Sequence, residues 1–137
     1  MRMPVSYEDF SSVALELLNA TPPTEGKLRS SVSRSYYGFY HVALEYADSV
    51  SVPAVSDTCG PVHAKLGAYY QTHMHADKQA RMDMKQIGWS LKSLHELRCK
   101  ADYRLDETIS HIDADAFYQR CASRISLVQK LMAVEAA

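Results

Sequence analysis

The stretch over residues 85–105 carries apolar residues at helical spacing, and this periodicity limits the folds that the chain can adopt. These residues recur at steps of three or four, or near multiples of them: Ile87, Leu91, Leu94, Ala101 and Leu105. Such spacing places them along one buried face of a helix. The last part of the chain repeats the pattern, with apolar residues at Phe117, Cys121, Ile125, Val128 and Met132. We therefore expect long amphipathic helices.

Capping and loop-forming residues locate the other elements. The predicted helices are a first one with Ser6 as N-cap, ending near Asn19, a second over 27–47, a third and shorter one over 63–73, and a last one from an N-cap at Asp113 to about 134. The polar stretch 73–83 fits either a loop or the first turns of the long helix. Strand-type alternation never persists, and the sequence contains no Asn-Gly or Asp-Gly hairpin turn. The sequence thus predicts one all-α domain over residues 1–137, an antiparallel four-helix bundle plus a short extra helix.

Composition narrows the classes of partner and compartment. The formal net charge is −1, so a phosphate-bearing ligand would need a local basic cluster rather than a globally basic surface. The three cysteines are odd in number and form no C-x-x-C pair, which is typical of reduced thiols in a cytosolic protein. No signal-peptide pattern opens the sequence, and no run of 18 apolar residues occurs. We expect a cytoplasmic protein that does not contact a membrane.

The long helix also carries a polar face. His95, Arg98 and Asp102 are three and four residues apart, so they lie about one turn apart on one side of the helix, and Tyr103 follows directly. An imidazole, a guanidinium, a carboxylate and a phenol near a helix end can bind phosphate or transfer protons. Arg98 and Asp102 fit equally well with an ordinary ion pair at i and i+4, worth about 0.3–0.5 kcal/mol on a surface.

A second polar face lies on the second predicted helix. Arg34 and His41 are seven residues apart, which is close to two turns, and Tyr37 and Gly38 lie between them. A glycine inside a helix costs about 1 kcal/mol relative to alanine, so Gly38 indicates that another backbone or a ligand comes close. The neighbouring tyrosines fit core or dimer packing as well as a binding role.

Several chemistries have no pattern to support them. His73 and His75 diverge on a helix, no H-E-x-x-H motif occurs, and the glycines are too scattered for a phosphate loop or a dinucleotide fingerprint. Serines crowd the second helix, but no acid stands at a fixed spacing to orient a nucleophilic pair. We expect no metal and no cofactor.

Three segments resemble the HEPN superfamily (higher eukaryotes and prokaryotes nucleotide-binding domains). SRSYYGFYHVALEYA is similar to a prokaryotic branch in which S-R-x-Y-Y-x-x-F/Y-H recurs. LHELRCKADYRLDE resembles the second signature of that branch, R-x-x-A-D-Y, here Arg98, Ala101, Asp102 and Tyr103. Between them, GPVHAKLGAYYQTHM resembles a histidine-containing segment of the same branch, here with His63. The three segments occur in the order found in the family.

The resemblance implies a helical bundle that forms a homodimer, with the polar residues of the signature helices facing a shared cleft. Many HEPN proteins are metal-independent ribonucleases of toxin–antitoxin, phage-defence or CRISPR systems with an R-x(4–6)-H motif. Arg34 and His41 match R-x(6)-H, but on the first signature helix rather than the later one, where no histidine follows Arg98 at four to six residues.

These considerations lead to two functional hypotheses. In the favoured one the chain cleaves RNA: Arg34, His41, Arg98 and Asp102 form the catalytic set, and the substrate is bound by Tyr37, His63, His95 and Tyr103. In the alternative the chain is a non-catalytic module that binds a nucleotide or a protein, such as a minimal nucleotidyltransferase antitoxin. A third reading is a structural helical dimer whose polar stripe only solvates one face.

Overall fold

The computed structural model describes residues 3–137, and this part of the chain is all-α. The helices are α1 (Tyr7–Leu18), α2 (Glu25–Val50), α3 (Val62–Thr72), α4 (Lys78–Tyr103) and α5 (His111–Ala136), with a 3₁₀ turn at Val55–Asp57. Residues 3–137 contain five α-helices and no strand, which confirms the prediction of an all-α chain. None of these helices combines the length and the apolar composition needed to cross a bilayer.

Helix α2 lies at the centre of the bundle and contacts each of the other four helices. Its buried residues include Phe39 and Tyr46, which join α3, α4 and α5 residues in one hydrophobic core. From α3, Tyr70 is fully buried and donates a hydrogen bond of 2.6 Å to the carbonyl of Ala43. Complete burial of one large apolar side chain stabilises a fold by about 1.5–3 kcal/mol, so this core explains why an aromatic-rich helix persists.

Local hydrogen bonds set where the helices begin. Ser6 is the N-cap of α1, as predicted, and its backbone N–H donates to Asp9 Oδ2 at 2.7 Å. The predicted N-cap of the last helix was wrong, because Ser110 caps it and Asp113 is the third residue of the helix. Ser110 Oγ accepts from the Asp113 N–H at 3.1 Å, and Asp113 Oδ2 accepts from the Ser110 N–H at 3.0 Å. This reciprocal capping box satisfies two helix-end donors at once.

The two helices that carry polar faces differ slightly from the prediction. Helix α2 begins two residues earlier than predicted, because Thr24 Oγ1 accepts a hydrogen bond of 3.3 Å from the Lys27 N–H, and it continues to Val50. Helix α4 begins after Asp77 and ends at Tyr103, so residues 73–77 form a loop. The predicted inward position of Leu105 was wrong: it follows the helix and is 78% exposed, whereas the other four apolar positions of that stripe are buried.

A close approach of α1 explains the glycine inside α2. A Cβ atom at Gly38 would lie 2.7 Å from Ser11 Oγ and 3.4 Å from the carbonyl oxygen of Tyr7. Only a residue without a side chain lets the two helices approach this closely. The backbone of α1 therefore passes beside the α2 segment that carries the Arg34–His41 face.

Arg29 joins the start of α2 to the end of α4. Its guanidinium donates to the carbonyls of Lys100, Ala101 and Arg104 at 3.4, 2.9 and 3.2 Å, and also to the carbonyl of Glu107. Carbonyls at the end of a helix have no partner inside the helix, so a buried arginine satisfies them. This contact fixes the position of α4 relative to α2, and with it the relative position of their polar faces.

Candidate functional site

Arg98 is a buried cation between α2 and α4, with only 6% of the residue exposed. Its Nη1 donates to Asp102 Oδ2 at 3.0 Å. The guanidinium carbon lies 5.7, 5.3 and 5.9 Å from the ring centroids of Tyr36, Tyr37 and Tyr103. These distances are within the range of cation–π attraction. Within residues 3–137, Nε of Arg98 is buried and has no hydrogen-bond partner.

A polar chain runs from Asp102 on α4 to Arg34 on α2 through a serine. Ser33 Oγ donates to Asp102 Oδ2 at 3.2 Å, and Arg34 Nη2 donates to Ser33 Oγ at 3.4 Å. The Asp102 hydrogen bond helps to raise the pKa of Arg98 despite the opposing effect of its burial, so this arginine stays charged. The ion pair predicted from spacing thus forms, but in a partly buried setting shared with α2 rather than on an open helix surface.

Tyr37 brings the two arginines to one place. The guanidinium carbon of Arg34 lies 5.2 Å from its ring centroid, and that of Arg98 lies 5.3 Å from it. Arg34 also lies over Phe10 of α1, at 5.4 Å. Two cations and the single carboxylate of Asp102 leave a local positive charge on a chain whose overall charge is −1. Such a local excess is what an anionic ligand requires.

His41 lies at the edge of this arrangement and is exposed to solvent. Its ring centroid is 4.9 Å from that of Phe10 and 6.1 Å from that of Tyr37. Partial desolvation lowers the pKa of His41 below its ordinary value of 6.5, and the positive charge of Arg34 lowers it further. The imidazole is therefore neutral at pH 7 and has a free lone pair with which to accept a proton.

Two more histidines meet beside Tyr36. Its hydroxyl lies 2.8 Å from His63 Nδ1, and the His63 and His95 ring centroids are 4.6 Å apart. Burial lowers the pKa of both histidines, and the positive charge of Arg98 contributes in each case. Burial raises the pKa of Tyr36 well above its ordinary value, so its hydroxyl keeps its proton within hydrogen-bond distance of Nδ1. His95 Nε2 lies 3.8 Å from Cys99 Sγ.

All eight residues predicted for the site belong to one connected group on α2, α3 and α4. We call this group, with Ser33 and Tyr36, the α2–α4 cluster: Ser33, Arg34, Tyr36, Tyr37, His41, His63, His95, Arg98, Asp102 and Tyr103. Each member contacts another through one of the distances given above. Whether they bind or transform a ligand stays a prediction.

Sequence reasoning missed four contributors. Ser33 was one of several serines on α2, and only its position opposite Asp102 distinguishes it. Tyr36 forms the contact between Arg98 and His63, but its place in the aromatic run indicated only core packing. Phe10 and Cys99 add neighbours to Arg34 and His95. Their roles depend on contacts between helices, for which a single sequence gives no spacing signal.

The cluster does not contain a metal-binding arrangement of side chains. In the part of the chain from residue 3 onward, no three histidine, cysteine, aspartate or glutamate side chains are arranged to hold a metal ion. Its three cysteines are free thiols, with Cys59 exposed, Cys99 half-buried and Cys121 buried.

Comparison with protein-family models, with curated proteins and with solved structures finds no match to this chain.

Proposed function

We propose that this chain is a HEPN-like protein that binds RNA through the α2–α4 cluster and cleaves it without a resident metal ion. The observation that carries the proposal is that Arg34 and Arg98 both contact the ring of Tyr37, while the neutral imidazole of His41 lies beside the same ring. One site thus combines two cations with a proton acceptor. An effector role in a toxin–antitoxin or phage-defence system in the cytoplasm fits the resemblance.

The chemistry assigns a task to each group. His41 takes the proton of a 2′-hydroxyl, O2′ forms a bond to phosphorus and the P–O5′ bond breaks. The protonated His41 then passes this proton, relayed by a water molecule, to the leaving 5′-oxygen and returns to its neutral form. Arg34 and Arg98 stabilise the negative charge that develops on the phosphorane oxygens. Asp102 orients Arg98, whose remaining donors suit a phosphate because a guanidinium can bind it bidentately. Tyr37, His63, His95 and Tyr103 bind the substrate.

A homodimer with an antiparallel four-helix arrangement completes the proposal. Tyr103, at the end of α4 and 5.9 Å from Arg98, exposes 72% of its surface, and Leu105, two residues further on, exposes 78%. Apolar surface at this place suits the interface of a second copy, which would bring two clusters to one cleft. We expect Leu105→Asp to shift the protein from dimer to monomer in light scattering without loss of helix content. A wild-type protein that is already monomeric would contradict this arrangement.

Cleavage of RNA in EDTA tests the catalytic assignment. We expect wild-type protein to cleave, and His41→Ala to lose about 10²- to 10⁴-fold in rate, the usual contribution of one general base. Arg98→Lys keeps the charge but not the bidentate fork, so it should also cleave poorly. His111→Ala, at an exposed histidine on α5 outside the cluster, is the matched control and should cleave normally. Equal cleavage by wild type, His41→Ala and Arg98→Lys would refute the assignment.

A non-catalytic binding module is the second candidate, and a specific observation favours it. Two of the three imidazoles of the cluster already have polar partners inside the chain, since His63 contacts the Tyr36 hydroxyl and His95 contacts Cys99. Such imidazoles serve packing and orientation better than proton transfer. The module would bind a nucleotide, or a protein partner such as a minimal nucleotidyltransferase antitoxin. Absence of cleavage together with nucleotide binding that requires Arg98 would select this function, and absence of both would leave a structural helical dimer.

A further inference from the structure

A groove of about 640 Å³ runs between α3 and α4, next to the α2–α4 cluster. Its walls are mostly small or apolar residues: Pro61, Ala64, Gly67, Ala68, Gly88, Leu91 and Trp89. Sites for small molecules have volumes of about 300–1,000 Å³ and are largely apolar, with a few polar groups to orient the ligand. The groove therefore has the size and the lining of a ligand site.

Gly67 and Gly88 lie along the groove where α3 and α4 cross. A Cβ atom at Gly88 would lie 3.0 Å from Tyr70 Cβ and 3.1 Å from the carbonyl oxygen of Gly67. Helix α4 can pack this closely against α3 only because Gly88 has no side chain at the crossing. The exposed side chains of Ala64 and Ala68 are short, so they leave the space above the crossing open. A planar molecule can enter this space without moving the core.

Trp89 forms one wall of the groove and is the only tryptophan of the chain. It remains 66% exposed, although an indole is a large apolar surface. Exposed aromatic side chains in nucleic-acid-binding proteins serve as platforms on which unpaired bases stack. Lys92 and Glu96, which also line the groove, supply polar groups next to this surface.

The groove and the α2–α4 cluster share two residues. His63 and His95 line the groove, and both belong to the cluster around Tyr36. His95 precedes Arg98 by three residues on α4, a rise of about 4.5 Å along the helix. A ligand with an apolar planar part in the groove can therefore place a charged part at Arg98. Burial lowers the pKa of both histidines, so uncharged imidazoles line this end of the groove.

We propose that the α3–α4 groove binds a nucleobase, stacked on Trp89, of the RNA strand whose phosphate Arg34 and Arg98 hold. The inference rests on the proposed function and adds a base-binding subsite to it. Continuity with a cationic cluster favours a ligand that joins a flat apolar ring to a phosphate, and a nucleotide unit is such a ligand. Because every base has a flat face, stacking on one indole binds unpaired strands with little preference for sequence.

Two matched strands separate contacts with the base from contacts with the backbone. One is 2′-O-methyl hexa-adenylate, which has no free 2′-hydroxyl and is not cleaved, and the other is the same backbone without bases. We expect the base-bearing strand to bind at least about fivefold more tightly, the effect of stacking one base. It should also quench the fluorescence of Trp89, whereas the abasic strand should leave this fluorescence unchanged.

A variant that fills the groove provides the decisive comparison. Ala68→Phe replaces an exposed alanine of the groove, so we expect it to abolish the difference between the strands while binding the abasic strand as wild type does. Ala133→Phe, at an exposed alanine on α5, is the matched control and should keep the difference. Circular dichroism verifies that both variants are folded.

The outcomes distinguish failure of the base-binding subsite from failure of the proposed function. If both strands bind equally and Arg98→Lys weakens both, phosphate binding stands and the base subsite is refuted. If Ala68→Phe preserves the preference for the base-bearing strand, the base lies elsewhere and the inference is also refuted. If neither strand binds folded wild-type protein, the proposed function and the subsite both fail. Binding of an apolar peptide helix in place of either strand would refute both as well.

Discussion

Replacing Asp102 with alanine leaves the Arg98 guanidinium buried without its ion-pair partner. Arg98 has 6% of its surface exposed, and the partner oxygen lies 3.0 Å from its Nη1. In wild type, Asp102 offsets the cost of burying this charge. In the variant, the rings of Tyr36, Tyr37 and Tyr103 remain near it, but none of them carries a compensating charge. We expect Asp102→Ala to destabilise the fold measurably, whatever the chain binds.

The size of the effect follows from the exposure of the pair. Breaking a fully buried ion pair by removing one partner costs about 3–5 kcal/mol, whereas an exposed pair is worth about 0–1 kcal/mol. The Asp102 side chain is 26% exposed and that of Arg98 is 8% exposed, so the pair lies between these limits. Alanine is the better helix former by about 0.5 kcal/mol, which offsets part of the loss. We expect a net loss of about 2 kcal/mol in the free energy of unfolding.

Urea denaturation followed by circular dichroism measures this loss. Arg98→Met removes the charge and keeps an apolar side chain of similar length, so it should cost about 1 kcal/mol or less. The double variant Arg98→Met/Asp102→Ala should therefore be more stable than Asp102→Ala alone. Glu107→Ala is a control at an exposed pair with Arg104, whose N–O distance is 3.7 Å, and it should change stability by less than about 0.5 kcal/mol.

Two results would contradict this reasoning. If Asp102→Ala were as stable as Glu107→Ala, water would solvate the Arg98 guanidinium, and the cluster would not hold a buried cation. If Arg98→Met cost more than Asp102→Ala and the double variant did not recover stability, packing of the arginine stem rather than its charge would dominate. Either result would also remove the physical basis for a pre-oriented phosphate donor.

Three further predictions concern the frame of the cluster. Gly88→Ala should lower stability by about 1 kcal/mol in thermal denaturation, because the added Cβ would lie 3.1 Å from Gly67 O. Gly67→Ala should instead raise stability by up to about 1 kcal/mol, because the nearest atom to its Cβ is 3.8 Å away and alanine is the better helix former. Ser110→Ala removes the cap of α5 and should cost about 1 kcal/mol; an unchanged urea midpoint would show that the capping box contributes nothing. The pKa values of His63 and His95 are lowered in the folded state, whereas a histidine in the unfolded chain has a pKa of about 6.5. Below about pH 6.5 the unfolded chain therefore binds more protons than the folded one, and the free energy of unfolding should fall as the pH drops through that value. Replacing both histidines with glutamine should reduce the slope of this pH dependence between pH 5 and 7, with the remainder contributed by His41, and an equally steep profile would contradict it.

The periodic part of the fold was accessible from the sequence. The prediction that Ile87 and Leu94 of α4 are buried is confirmed, because the spacing of apolar residues determines which face of a helix packs against the core. The prediction that Leu105 is buried was wrong because the helix ends at Tyr103, and helical periodicity does not predict the burial of residues beyond the last turn. The cap of α5 was placed at Asp113 instead of Ser110 because either residue type can cap, and only the reciprocal hydrogen bonds distinguish the N-cap from the third helical position.

The candidate site was accessible only in part. Positions on one helix, such as Arg98 and Asp102, follow from i and i+4 spacing. The burial of Arg98, its contact with Tyr36 and the serine between Asp102 and Arg34 depend on how α2 packs against α4. No single-sequence pattern encodes that packing, because the residues involved are more than sixty positions apart. The groove beside Trp89 was missed for the same reason, since it lies where α4 passes close to α3 at Gly88.

The hydrogen bonds of Arg29 affect how the start of α2 and the end of α4 unfold locally. One side chain near the start of α2 satisfies the last carbonyls of α4, and Glu25 accepts a hydrogen bond of 2.8 Å from the Ile109 N–H nearby. The first turns of α2 and the last turn of α4 therefore cannot fray one at a time. Their amide protons should exchange with deuterium at a common rate, as one cooperative unit. Arg34 and Arg98 would then lose their alignment together in a single opening event rather than drift apart gradually.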